Sequence, residues 1–187
     1  MTTRHRNPKK KMAPSLLKVA FTLVTAFQPI FSQFTFPAST QTCPNNSSLT
    51  GYTSIASLNS DMQMELNRIA AGGAVPTTPY NLILCPGTTF DTSTNILMPT
   101  LNNVNIVCGN GGPNMMCIFD GGNKNENVQI QNPSIQGYVL NSVNIEGVTF
   151  QNFNGRSVDL GASAPTTATF KDCTWQVKVS ILLISSN

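Results

Sequence analysis

Six carboxylates punctuate the chain beyond residue 80: Asp91, Asp120, Glu126, Glu146, Asp159 and Asp172. Such groups have two common uses. A pair can run acid–base cleavage of a glycosidic bond. A cluster can supply several of the roughly six to eight oxygens that calcium takes. Spacing proposes neither use, because no two of these residues are close in sequence. Asp120 opens Asp120-Gly121-Gly122, and a turn accounts for that placement. Asp172 reads as a corner residue. The one composite site on offer joins Asp159, Asp172 and Arg156. The only histidine, His5, stands in the N-terminal region. Gly109-Asn110-Gly111-Gly112 is glycine-rich, but it lies between Cys108 and Cys117 and precedes no helix. It therefore reads as a surface turn and not a phosphate cradle. No GxSxG motif and no zinc-ligand spacing is present. The predicted set of catalytic, cofactor-binding and metal residues is therefore empty.

Cysteine is the more informative chemistry. Cys43, Cys85, Cys108, Cys117 and Cys173 all follow the first forty residues. Oxidising compartments favour their pairing, and an odd count of five leaves one thiol over. Asn45-Asn46-Ser47 and Asn46-Ser47-Ser48 are overlapping N-glycosylation sequons, so Asn45 and Asn46 are the candidate acceptors. Asn132-Pro133-Ser134 is excluded by its proline. Residues 1–33 read as a signal peptide. Basic residues from Arg4 to Lys18 precede an apolar stretch over 19–31, which is too short for the ~20 residues a membrane span needs. The expected location is secreted and extracellular, with no membrane association once the signal is removed.

Charge agrees with that reading. Only 10% of residues are charged, and the formal net charge is +3. Six of the eleven basic residues precede residue 20, and all eight acidic residues follow residue 60. The remainder is therefore net negative, which argues against a nucleic-acid partner.

Few elements are available to position these groups. Residues 34–79 form a polar leader followed by one amphipathic helix over about 54–71. Ile55, Leu58, Met62, Leu66 and Ile69 make its apolar stripe. Thr53 or Ser54 can cap its start, and Gly72-Gly73 ends it. From residue 80 the pattern becomes short alternating strands with no helix between them. Candidates cover 82–85, 89–91, 96–98, 104–107, 117–120, 128–131, 143–146, 148–151, 158–160, 169–171 and 174–177. This excludes a doubly wound α/β fold and leaves a sandwich or a β-solenoid.

An internal repeat favours the solenoid. Residues 143–150 align with 168–175 at an offset of 25. The strands beginning at Leu82 and Val104 are 22 apart, and those at Val104 and Val143 are 39 apart. Looping out residues 109–116 explains the longer interval. It also places Cys108 and Cys117 at adjacent corner positions, with Cα atoms roughly 4–6 Å apart, within disulfide reach. Cys43 with Cys85 is the second, weaker pairing, and Cys173 remains. Alternation then assigns four inward columns. They are Val104, Val143 and Ala168; Ile106, Ile145 and Phe170; Cys117, Val148 and Cys173; and Phe119, Phe150 and Trp175. Outward, Glu146 stands over Lys171 as a surface ion pair.

Pro86-Gly87-Thr88, Asn103-Val104-Asn105-Ile106 and the run from Asn141 through Val143-Asn144-Ile145-Glu146-Gly147-Val148-Thr149-Phe150 to Asn152 resemble coils of the right-handed parallel β-helix, or pectin lyase-like, superfamily. The resemblance covers residues 80–177. It implies an all-β fold over 80–187: a right-handed parallel β-helix of about four three-strand coils, with the helix capping its N-terminal end. Its lyase branch implies calcium held by clustered carboxylates. Its hydrolase branch implies paired aspartates with Gly-His and Arg-x-Lys motifs, which are absent here. The expected function is a secreted, non-catalytic module that binds polysaccharide or cell-surface glycans. The alternative is a partial or inactive polysaccharide lyase or glycoside hydrolase, the only reading in which calcium is expected. The solid apolar run over 179–184 suggests an incomplete C-terminus, with an exposed edge through which copies could associate.

Overall fold

Polar runs alternate poorly with apolar ones in the leader, yet the leader pairs with itself. In the computed structural model, which describes residues 36–132, 140–161 and 167–176, β1 (Gln41–Cys43) and β2 (Asn46–Gly51) form an antiparallel hairpin. An irregular structure was expected there. The Pro44-Asn45 turn supplies the reversal, and backbone pairing does not need apolar side chains. The proposed signal at 1–33 and the apolar run at 179–184 lie outside the described residues.

Helix α1 (Ile55–Ala70) forms where the 3.6-residue stripe predicts it. Ser54 caps it, its side chain accepting from the Ser57 N–H at 3.2 Å. Gly72, at φ 91°, takes the left-handed conformation that stops it. Ile55, Leu58, Met62 and Leu66 are buried in the common core. Two acids on the same helix are buried as well. Asp61 accepts from the Ala38 and Ser39 N–H groups, both at 2.8 Å, and from the Ser39 and Tyr52 hydroxyls at 2.6 and 2.9 Å. Glu65 accepts from Arg68 through both oxygens, at 2.6 and 2.7 Å, and from the Tyr80 hydroxyl at 2.9 Å. The helix thus clamps residues 38–39 on one side and the start of the sheet region on the other. A buried carboxylate persists only with partners of this kind.

The remaining strands are all parallel-paired. β3 (Tyr80–Leu84), β5 (Val104–Cys108), β8 (Ser142–Glu146) and β11 (Thr167–Lys171) form one four-stranded sheet in the order β11-β8-β5-β3. β4 (Thr89–Asp91), β6 (Cys117–Lys124), β9 (Val148–Phe153) and β12 (Thr174–Gln176) form a second, in the order β12-β9-β6-β4. β7 (Val128–Ile130) and β10 (Val158–Leu160) make a third, two-stranded sheet, to which Leu97 adds a single bridge. The chain visits the sheets in the same order on each pass. The result is a mostly β structure with parallel sheets and one helix.

The register matches the expected columns. Val104 pairs Val143, which pairs Ala168, and Ile106, Ile145 and Phe170 follow suit. Cys117 pairs Val148, and Phe119, Phe150 and Trp175 align. One offset needs correcting. Tyr80, not Leu82, stands opposite Val104, so the first offset is 24 and not 22. A slip of two residues leaves every side chain on its expected face, which is why alternation alone could not detect it. The predicted strand at 96–98 shrinks to the Leu97 bridge. Asp120-Gly121-Gly122 is no simple turn either. It lies inside β6, where the register shifts between Asp120 and Lys124.

Phe90, Phe119 and Phe150 are fully buried and meet edge to face at centroid distances of 5.7 and 5.6 Å. Trp175 stacks on Phe150 at 5.2 Å, with planes 9° apart. Cys108–Cys117 and Cys43–Cys85 are disulfides with Cα separations of 5.7 and 5.2 Å. The 5.7 Å of Cys108–Cys117 falls in the range foreseen from the repeat. Cys173 keeps its thiol.

Candidate functional site

The outward positions of the first sheet carry its most regular chemistry. Asn81, Asn105 and Asn144 stand in register on β3, β5 and β8. The Asn105 amide donates to Asn81 Oδ1 at 2.9 Å, and the Asn144 amide donates to Asn105 Oδ1 at 2.8 Å. Thr169 of β11 continues the column. Strand pairing places these groups about 4.8 Å apart, so each amide reaches the next without strain. The column was legible in principle. Each asparagine follows an inward valine or tyrosine by one residue, but the 22-residue offset put Asn81 out of line.

Beside that column, Glu146 and Lys171 form the expected pair at 2.7 Å. This hydrogen bond holds the Lys171 ammonium above its ordinary pKa. Glu146 also accepts from the Gly112 N–H at 3.2 Å, which ties the disulfide-closed loop to the next pass. Lys171 is about two-thirds exposed, so the pair adds little stability.

Asp159, Asp172 and Arg156 do not come together. Arg156 bridges Asp159 at 2.8 Å and Glu126 at 2.9 Å, and Glu126 also accepts from Gln129 at 2.6 Å. Asp172 sits at another corner, with Lys171 4.0 Å away. Asp159 lies within β10 of the third sheet and Arg156 just before it, whereas Asp172 joins the first sheet to the second. The composite site is therefore withdrawn.

The structure does bring together two carboxylates that spacing missed. Asp91 and Asp120, 29 residues apart, pair in register on β4 and β6. Gln151 and then Gln176 extend this outward column. Each carboxylate is already occupied. Asp91 accepts from the Ser93 hydroxyl and N–H, which hold its carboxyl below the ordinary range. Asp120 accepts from Gly122 N–H at 3.0 Å, Gln151 at 3.0 Å and Asn152 at 2.8 Å. Among the described residues no three acidic, cysteine or histidine groups converge as a metal site. Two engaged carboxylates fall short of the oxygen count that calcium requires.

The two sequon residues differ. Asn45 is exposed at the β1–β2 turn, and its amide reaches Pro86 O at 3.4 Å. Asn46 is half-buried and accepts from both the Ser48 N–H and its hydroxyl, at 3.2 and 2.7 Å. Burial pushes the Cys173 thiol up, so it is a poor nucleophile. No helix among the described residues is long and apolar enough to cross a membrane, and the two disulfides fit an oxidising compartment. No family model matches the chain, and no curated protein or solved structure matches it either.

Proposed function

We propose that the protein is a secreted, non-catalytic module built on a right-handed parallel β-helix, and that its outer face binds glycan chains. Two four-stranded parallel sheets of the same strand order, visited in turn on every pass, support the β-helix. Parallel strands joined by crossovers of this kind are right-handed almost without exception. The two disulfides support secretion.

The observation that carries the glycan reading is the amide ladder of Asn81, Asn105 and Asn144. It offers neutral donors and acceptors at the strand repeat, with no charge in the column. Hydroxyl-rich chains are matched by such groups at little desolvation cost. The test is retention on immobilised neutral polysaccharides. Asn105→Leu, which removes the middle of the ladder, should weaken retention about tenfold without changing the melting temperature. Retention on no glycan, or full retention by the variant, rejects the reading.

A second reading draws on Asp91 and Asp120 standing in register: a partial or inactive polysaccharide lyase or glycoside hydrolase. Calcium-dependent release of unsaturated product from polygalacturonate would replace the non-catalytic proposal. Self-association through β11 and β12, each paired on one side only among the described residues, belongs to the first reading. Sedimentation of the protein over a concentration series tests it.

A further inference from the structure

A cleft of about 640 Å³ opens between helix α1 and the third sheet, away from the amide ladder. That volume lies within the range of small-molecule sites. Ser60 and Gln63 line it from the helix, Met98 and Thr100 from the connection before β5, and Gln129 and Gln131 from β7 and just beyond. Among the described residues no Asp, Glu, Lys or Arg lines it.

Its polar groups are available for a ligand. Ser60, Gln63 and Gln131 are exposed, so their hydroxyl and amide groups are open to the cleft. Gln63 donates its amide N–H to Asn67 at 3.0 Å, and Gln129 donates to Glu126. Among the described residues neither amide oxygen has a donor. Met98, 41% exposed, adds an apolar wall. Hydroxyls and amide acceptors beside an apolar surface match a sugar ring, which has polar edges and apolar C–H faces. With no cation in the lining, a carboxylated sugar would lose hydration without gaining a partner.

We propose that this cleft holds one or two uncharged sugar units, as a site separate from the ladder. The inference rests on the glycan reading only for its ligand class. The full chain should be titrated calorimetrically with a panel of neutral disaccharides and with digalacturonate as the charged control. At least one neutral disaccharide should saturate the site, and digalacturonate should not. Gln131→Leu and Gln63→Leu should each weaken that binding about tenfold. Gln131 and Gln63 are both exposed, so both variants keep the fold. Asn105→Leu should leave the titration unchanged. If binding is lost in Asn105→Leu but kept in both cleft variants, the cleft is overturned and the ladder stands. Saturation by no neutral disaccharide, or equal binding of digalacturonate, overturns the cleft whatever the polysaccharide retention shows.

Discussion

The pass through β5 and β6 and the pass through β11 and β12 carry side chains in the same register, yet they are differently embedded. Val104, Ile106, Cys117 and Phe119 are fully buried. Their counterparts Ala168, Phe170 and Cys173 are only partly buried, and Trp175 is 42% exposed. Alternation determines which way a side chain points. Burial, and with it the stabilisation, depends on what covers each side: β6 has strands on both, and Phe90 of the end strand β4 is sealed in one core cluster with helix α1. The same column is therefore core in the early passes and rim at β11 and β12.

The largest effect should separate these two passes directly. Phe119 sits between Phe90 and Phe150. Phe119→Ala should lower unfolding free energy by about 3–5 kcal/mol, the cost of an aromatic cavity in a sealed core. Trp175→Ala should cost less than half as much in the same urea titration, because solvent already reaches its ring. Equal losses would mean that the last pass is as well sealed as the middle one.

The disulfides sharpen the contrast, since both lie in the early passes. Cys43–Cys85 spans 42 residues and Cys108–Cys117 spans 9. Chain entropy assigns them about 4 and about 3 kcal/mol respectively. Replacing each pair by serines should therefore lower the melting temperature in both cases, and more for Cys43–Cys85. The opposite order would show that the loop over 109–116 is held mainly by its disulfide. The hydrogen bonds from Gly112 N–H to the Glu146 carboxylate and from Gly87 N–H to Met116 O would then count for little.

A smaller effect distinguishes the helix clamp from the last described pass by pH. Hydrogen bonding to Arg68, helped by Tyr80 and opposed by burial, holds the Glu65 carboxyl below its ordinary value of 4.5. A depressed folded-state value stabilises the fold above the unfolded value, and that stability is lost as the pH falls through the folded value. The melting temperature should therefore drop on acidification below about pH 4.5, and Glu65→Gln should flatten the drop while lowering the plateau. An unchanged slope in the variant would assign acid sensitivity to other carboxylates.

Much of this architecture is written locally. Helical spacing located α1 to within a residue at each end, and the repeat placed Cys108 opposite Cys117 across eight intervening residues. What stayed hidden depends on pairing between distant strands. Asp91 and Asp120 meet only because β4 lies beside β6, and nothing near either residue announces that. The Asp61 clamp escaped notice because a lone acid on an apolar stripe looks like a solvated edge until its partners, Ala38 and Ser39, fold back onto it. The shift in β6 was masked by glycines that read as a turn. Gly121 lacks a side chain because a Cβ there would stand 2.3 Å from Asn127 Oδ1.

The asparagine column also has a direction. Each amide nitrogen points toward the strand of the preceding pass, so Asn144 gives to Asn105 and Asn105 gives to Asn81. The string ends in a donor, Asn81 Nδ2, beside the helix-covered end, and in an acceptor, Asn144 Oδ1, toward Thr169. Aligned amides polarise one another, so the face behaves as a small one-way wire. Under the proposed glycan reading, a chain laid across the strands would meet a donor at one end of the column and an acceptor at the other.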